Sequence, residues 1–550
     1  MQTTTEEPVR TTENPSRLQP DQARAVRLGV SGAVLAIVAL GLLGAYSLPL
    51  FSLPDEPAHY GYAAEVADGR LPHIEDLVPV DGIAPLEELM NDRDEVRRTI
   101  WTANHPPLFY VIEAVPIGIG RATDRELGAM HAGRVLVVLI AGGAVVAVAW
   151  LTRLLVPRRP VVAVVAAGVA ALLPAMINTS SYLYNDSLAV LTSTLAFGAG
   201  VLWLVRGPST PRLAFAAVTC ALAASTRASG LLVVGVVGLA VLIGSVIHAA
   251  ADRGERPASR ATRAVSLLAP AAVVGAAVVA TSGWFWVRSV DLYGDLTATG
   301  YLLERFDRVP RRPTTWYVSS IDFWSTQQRL LWGVGSNHAI NTESVTHHFW
   351  VLALPPIAGL VLAARHALRT SVRRSGSLQA SLDGWRHWVN HGDPRRLALP
   401  AAWVLGLVFL LLLELSVMQF TSQGGGTHVR YVLPGIGIAS AAAAVGLLAL
   451  PGARRGVTAV AFLVVTAVAY VWGLRAQLAA LLADTDADTS ILRGLELAGV
   501  RAPLLMLVLV GAAVLAGLVL QAVAVWRLTA GWAPAADEVS RRSDSSCDEA

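Results

Sequence analysis

The chain alternates long apolar runs with short polar connections, and no other feature limits its fold as tightly. Runs long enough to cross a bilayer, about 20 residues each, occur at about 26–50, 132–155, 160–177, 187–205, 212–227, 230–249, 264–287, 349–367, 397–420, 430–450, 456–475 and 503–526. A water-soluble fold has nowhere to put this much apolar surface: 54% of the 550 residues are hydrophobic and 15% are charged, against roughly 25% charge in soluble domains. Within lipid, backbone polar groups must be satisfied inside each segment, which leaves helices for runs of this length. The expected fold class is an all-α integral membrane protein with about 12 transmembrane helices. The same composition excludes a coiled coil, a collagen and a disulfide scaffold, since Cys220 falls in an apolar run and Cys547 in a polar tail.

The organisation follows from where the runs stop. Residues 1–25 lack an apolar pattern and are expected to be a disordered cytoplasmic tail. Residues 26–527 form one polytopic domain, and 528–550 form a second cytoplasmic tail. The first run is too long, and its leader too extended, for a cleaved signal peptide. With the N-terminus inside and the sides alternating, the inner connections collect arginine, including Arg158, Arg159, Arg369, Arg373, Arg395 and Arg396, while the outer segments are net acidic. That is the positive-inside pattern. The chain contains no lysine, which reads as codon bias, and its net charge of +3 carries no nucleic-acid signal.

Three outer segments stand out, at about 51–131, 288–348 and 476–502. Segments this long are usually functional or carry structure of their own. Residues 86–96 and 322–332 have the pattern of amphipathic helices on the membrane surface, and 107–120 is apolar but too short to span, as in an interfacial or re-entrant helix. Neither a fixed-period repeat nor an inverted repeat is evident.

The polar residues with chemical potential sit at the outer ends of the runs. Asp55-Glu56 follow the first run between two prolines, with His59 one turn on. A carboxylate at this boundary is placed to take a proton from an acceptor hydroxyl, or simply to cap the next helix. Asn104-His105-Pro106-Pro107 introduces the short apolar segment, and Asn185-Asp186 opens the fourth run. Trp284 and Trp286 suit an interfacial aromatic belt; Arg288, Tyr293 and Asp295 beside them are not explained by it. Arg430-Tyr431 opens the tenth run, where an outward arginine opposes the charge bias and calls for a local anion such as a phosphate. Glu414 is an acid within an apolar run and a functional candidate on that ground, with Arg227 as its partner or as a snorkelling cation. Adjacent His347 and His348 diverge and make a poor metal pair.

Taken in order, Asp55-Glu56, His105-Pro106-Pro107, Asn185-Asp186, the Trp284-to-Asp295 stretch and Arg430-Tyr431-x-x-Pro434 resemble motifs of the GT-C superfamily of polyprenyl-phosphate-sugar-dependent glycosyltransferases, in its protein mannosyltransferase-like and aminoarabinose-transferase-like branches. The resemblance covers about residues 27–450. It implies a multi-pass bacterial cytoplasmic-membrane enzyme with its site on the outer face and juxtamembrane helices in the first outer segment. The enzyme would move a single sugar from a polyprenyl-phosphate carrier to an envelope glycan, lipid or protein, by direct displacement with inversion. Asp55 matches the family's base, with Glu56 as its substitute. Arg288, Arg430 and Tyr293 are the expected donor-phosphate ligands, and His59, His105, Asp186, Asp295 and Glu414 are acceptor or accessory residues. For Asp186, acceptor positioning, metal binding and helix capping all stay open, as does dependence on a divalent metal. The Trp-Trp-Asp signature of oligosaccharyltransferases is absent. The competing readings are a transporter or lipid flippase, which predicts polar residues at mid-membrane, and an envelope-assembly scaffold, which needs no Asp55.

Overall fold

Helices make up all the regular elements of the computed structural model, which describes residues 18–80, 82–251, 260–333, 348–375, 377, 379–380, 383, 393–450, 455–482 and 490–530. Most of both expected tails, His347 and residues 483–489 of the third outer segment lie outside the described residues. A lone antiparallel bridge, Leu77 to Thr99, ties the first outer segment together.

Among the described residues, ten helices are long and apolar enough to cross a membrane: Pro20–Ser47 (α1), Glu126–Leu155, Asp186–Arg206, Ser229–Ala251, Ala264–Tyr293, Phe349–Arg373, Pro394–Ser422, Val429–Ala449, Gly456–Leu481 and Pro503–Ala530. An eleventh span is a pair, Pro160–Leu172 and Pro174–Ser180, bent by 57°. Pro174 explains the bend, because a proline pushes the residue before it out of the helical region, and Leu173 is extended at φ −66°, ψ 117°. The run expected at 212–227 folds as a shorter apolar helix, which still passes from the end that carries Arg206 and Arg212 to the end where Arg227 meets Asp186. Its helix is Thr210–Ala224, only 15 residues, or roughly 22 Å at 1.5 Å per residue, short of the roughly 30 Å hydrocarbon core. The chain turns at Ser225 and Thr226, and Arg227 enters a buried ion pair instead of extending the helix.

The apolar surface divides as a bilayer protein requires. Pro503–Ala530 packs one side on α1, where a Cβ on Gly32 would lie 2.5 Å from the Gly517 carbonyl and one on Gly517 2.6 Å from the Gly32 carbonyl. Small residues at such a crossing let two backbones meet. The other side exposes Leu504, Leu505, Val508, Leu509 and Leu515. With its many apolar helices, this is a multi-pass membrane protein.

The first outer segment folds into Glu56–Ala67 (α2), Ala84–Asn91 (α3) and Leu108–Ala122 (α4), the last matching the expected interfacial helix. The amphipathic helix expected at 322–332 is Ile321–Trp332. These elements gather at the end of the bundle where α1 finishes. The opposite end carries Arg158, Arg159, Arg206, Arg212, Arg395 and Arg396.

One buried ion pair fixes the entry into α2. Glu56 and Arg134, the latter on Glu126–Leu155, are both fully buried. Arg134 Nε donates to Glu56 Oε1 and Nη2 to Oε2, each at 2.7 Å. Its remaining N–H groups go to the carbonyls of Ala45 (2.9 Å), Leu48 (2.8 Å) and Pro49 (3.0 Å). All five guanidinium donors are thereby used. Glu56 also accepts from the backbone N–H of Phe51 at 2.8 Å and of Leu183 at 3.1 Å. The Phe51 bond holds a non-glycine residue at φ 61°, a sparsely populated region that surrounding structure must enforce. Glu56 is thus corrected from catalytic substitute to structural anchor, since each of its oxygens already accepts two hydrogen bonds.

Two outcomes follow. Breaking a buried pair by removing one charge costs about 3–5 kcal/mol, so Glu56→Gln should lower the thermal midpoint of the purified protein more than Asp55→Asn does; a midpoint within about one degree of wild type would contradict the anchoring role. For sidedness, single cysteines in a Cys547→Ser background should report on the two ends, as Cys220 is buried. Glu88→Cys and Pro310→Cys should react with an impermeant maleimide from outside, and Arg158→Cys and Pro208→Cys only after permeabilisation. The reverse pattern would turn the Asp55 end to the cytoplasm.

Candidate active site

A cavity of about 1610 Å³ opens at the α1-terminal end of the bundle. Its wall brings together Asp55 and His59 from the start of α2, His105 from the turn before α4, and Asn185, Arg227, Asp295 and Arg430. The lining also includes the apolar side chains of Leu231, Leu232, Leu302, Leu303, Phe306 and Leu413.

Asp55 precedes α2 in helical geometry (φ −84°, ψ −24°), yet its side chain makes no capping bond. It turns instead to Arg430, and Oδ2 accepts from Nη2 across 375 residues of sequence. Arg430 stands at the start of a 3₁₀ turn, Val429–Gly435, that leads into its span. Its guanidinium lies 5.1 Å from the Tyr184 ring centre and 5.4 Å from that of Tyr431. Such faces stabilise a desolvated cation. Its Nε is buried without a partner, so one donor is unspent.

A second pair stands beside the first. Arg227 Nη1 donates to Asp186 Oδ1 and, at 3.3 Å, to Asn185 Oδ1. Arg227 also lies 4.9 Å from the centre of the Tyr431 ring, which is therefore shared by both arginines. Asp186 opens its helix, but its Oδ1 accepts from Arg227 and its Oδ2 has no hydrogen-bond partner, so the capping alternative gives way to the ion pair. Glu414 does not meet Arg227; its Oε2 accepts from Gln327 Nε2 at 3.4 Å.

The histidines complete the polar wall. His59 Nδ1 lies 2.9 Å from the Tyr110 hydroxyl, and its ring is centred 6.2 Å from that of His105. Burial pushes the pKa of His59 well below the usual 6.5, and His105, Arg430 and Arg227 push it further down. Burial and the same two arginines act on His105. Both imidazoles are therefore neutral at pH 7 and able to accept a hydrogen bond. His105 Nδ1, Asn185 Nδ2 and Asp186 Oδ2 are buried without partners, which is unusual for groups of this kind and leaves them available to a ligand.

Three expected residues do other work. Arg288 Nη2 donates to the carbonyls of Pro72 at 2.9 Å and Leu71 at 3.4 Å, and the Tyr293 hydroxyl accepts from Ile74 N–H at 3.0 Å. Neither lines the cavity; the end of Ala264–Tyr293 lies against an extended stretch whose backbone groups need partners. Asp295 lines the cavity but folds its own loop, accepting from Thr297 N–H and hydroxyl at 2.8 and 3.1 Å and from Gly300 N–H at 2.7 Å. Sequence reading missed Arg93, whose Nη1 donates to the Pro54 carbonyl at 3.1 Å, and Arg97, Arg308 and Arg311, which also line the cavity. The one signal for the first two was the dense charge of 91–98, which overlaps the end of the expected amphipathic helix. Among the described residues, no group of three or more His, Cys, Asp or Glu is placed to hold a metal.

No family model and no curated protein matches the chain. Among solved structures it is similar to ArnT from Cupriavidus metallidurans bound to undecaprenyl phosphate, with 14% identity and a TM-score of 0.41 over 91% of this chain and 76% of that one. It is also similar to the oligosaccharyltransferase from Archaeoglobus fulgidus in complex with zinc and sulfate, with 13% identity and a TM-score of 0.38 over 81% of this chain and 53% of that one. A third likeness is to AglB from the same archaeon with an inhibitory peptide and a dolichol-phosphate, with 12% identity and a TM-score of 0.37 over 90% of this chain and 55% of that one. The chain thus spans about half the length of the archaeal proteins.

Proposed function

We propose that the protein is a GT-C-type membrane glycosyltransferase that moves a single sugar from a polyprenyl-phosphate carrier to a hydroxyl or amine of an envelope acceptor, with Asp55 as general base. The observation that carries this reading is the buried Asp55–Arg430 pair in the wall of a half-apolar, half-cationic cavity. A polyprenyl-phosphate sugar has the same division: its chain suits Leu231, Leu232, Leu302, Leu303 and Phe306, and its phosphate suits the arginines.

The chemistry is a direct displacement. The acceptor oxygen or nitrogen attacks the anomeric carbon, the bond from that carbon to the phosphate oxygen breaks with its electron pair, and the lipid phosphate leaves from the opposite face, inverting the centre. Asp55 takes the acceptor proton. Arg430 meets the phosphate with a fork that matches it bidentately, and its interaction strengthens as charge grows on the leaving oxygen. Its attachment to Asp55 has a consequence. When the phosphate draws the guanidinium, Asp55 Oδ2 is released, so donor binding makes the base available. The unpaired His105 Nδ1 and Asn185 Nδ2 are placed to orient an acceptor, and the Asp186–Arg227 pair shapes the adjoining wall. The candidate residues gather at one end of the bundle rather than at mid-depth, which favours an enzyme over a transporter. The charge distribution supports cytoplasmic termini and an outward-facing site.

Removing the base with its shape retained should lower transfer by about 10²–10⁴-fold. Asp55→Asn should therefore abolish most product, read by mass spectrometry of envelope glycans and accumulated lipid-linked sugar in a deletion strain carrying the variant. Activity within about threefold of wild type, with chemistry limiting, would remove Asp55 from the mechanism.

The donor phosphate offers an independent check on purified protein. Charge-assisted hydrogen bonds contribute about 1.5–3 kcal/mol, so Arg430→Ala should weaken binding of a short-chain polyprenyl phosphate by ten- to more than a hundredfold, about the range those energies imply. Arg430→Lys should recover only part of this. Equal affinities at equal stability would leave Arg430 as a structural partner of Asp55 with no part in phosphate binding.

A further inference from the structure

The cavity wall carries more positive charge than its partners neutralise. Six arginines and four aspartates line it. Arg430 is matched by Asp55 and Arg227 by Asp186. Arg97 is matched by Asp94 at 3.1 Å, and Asp295 spends its oxygens on its own loop. Arg93, Arg308 and Arg311 are left without an ion-pair partner among the described residues, three positive charges against the two of Asp92 and Asp295. Arg93 donates to the Pro54 carbonyl, and burial together with its neighbour Arg97 works against its charge more than Asp55 and Asp94 favour it. A half-buried guanidinium in that position is stabilised by an incoming anion.

The other two arginines are held in place. Arg311 N–H donates to the Ser422 carbonyl at 2.8 Å. Gly424, at φ +102°, lets the backbone approach so closely that a Cβ there would lie 2.5 Å from the Val309 carbonyl. The segment that presents Arg308 and Arg311 is therefore braced against the turn leading to Arg430. The three unmatched cations line the same cavity as the base.

We infer that Arg93, Arg308 and Arg311 form a second anion site, separate from the Asp55–Arg430 pair, which selects a phosphate-bearing acceptor. This rests on the glycosyltransferase reading: one cavity takes one phosphate from the donor at Arg430 and a second, acceptor-borne phosphate at this rim. A neutral polyol or glycan of equal size gains nothing from the rim and is selected against.

The test uses full-length protein in phosphatidylcholine nanodiscs, with calorimetric affinities for three probes: tetra(glycerol phosphate), maltotetraose and farnesyl phosphate. Wild type should bind tetra(glycerol phosphate) in a salt-sensitive way and maltotetraose not at all. Arg308→Gln/Arg311→Gln, both exposed and so removable without unfolding, should weaken tetra(glycerol phosphate) by about tenfold or more while leaving farnesyl phosphate within about twofold. No binding of tetra(glycerol phosphate) to wild type, equal binding by the double variant, or equal loss of both phosphates would overturn the inference. Repeating the titration in phosphatidylglycerol nanodiscs separates the sources of phosphate. Abolished binding there would assign the rim to bilayer headgroups and overturn the acceptor role. Wild type that binds tetra(glycerol phosphate) but not farnesyl phosphate would instead overturn the donor reading and leave the rim standing as an anion site.

Discussion

Arg134 holds the end of the first membrane helix to the start of α2, and the geometry of the cavity depends on that grip. Its five donors reach Glu56 and three carbonyls that close α1, while Glu56 collects two further backbone N–H groups. The interaction is local in space and distant in sequence, joining residues 78 apart. Taking two charges out of water is costly, and full hydrogen-bond satisfaction is what makes such a pair tolerable. Once made, it fixes where the next residue back must point. Successive side chains on a helix diverge by about 100°, so with Glu56 facing the interior, Asp55 faces the cavity.

The two adjacent carboxylates therefore divide the work. Glu56 is saturated and closed off, whereas the Asp55 carboxylate accepts from Arg430 and borders open space. The same contrast separates the arginines. Arg134 is spent on structure and Arg288 on the carbonyls of 71–72. Arg430 retains an unpartnered Nε, and Arg308 and Arg311 have no ion-pair partner among the described residues. Burial keeps His59 and His105 neutral between these cations, which keeps the positive field on the guanidinium groups where a phosphate would sit.

Much of this was legible from hydropathy, because a bilayer imposes length and polarity on each helix. The runs at 26–50 and 132–155 became Pro20–Ser47 and Glu126–Leu155, and the short run at 107–120 became Leu108–Ala122. The run at 212–227 became the shorter helix Thr210–Ala224, because hydropathy does not register a buried ion pair at a helix end. Among chemical residues, Asp55, His59, His105 and Arg430 could be singled out because each stands at a helix boundary on one side. Glu56, Arg288 and Tyr293 looked the same in sequence, and only three-dimensional partners distinguish a saturated group from an open one. Arg134 gave no sign at all, sitting inside an apolar run and matched to a carboxylate far along the chain. Arg308 and Arg311 were hidden for another reason: the loop bearing them becomes part of the cavity only through its pairing with Ser422 and Gly424.

The central claim is that one arginine serves first the base and then the leaving phosphate. A cryo-electron-microscopy structure of the protein with undecaprenyl phosphate, at a resolution that separates the side chains, tests it directly. The account predicts the phosphate within hydrogen-bond distance of Arg430, with Asp55 released into the cavity and the Glu56–Arg134 pair unchanged. A phosphate bound elsewhere, with Arg430 still joined to Asp55, would contradict it.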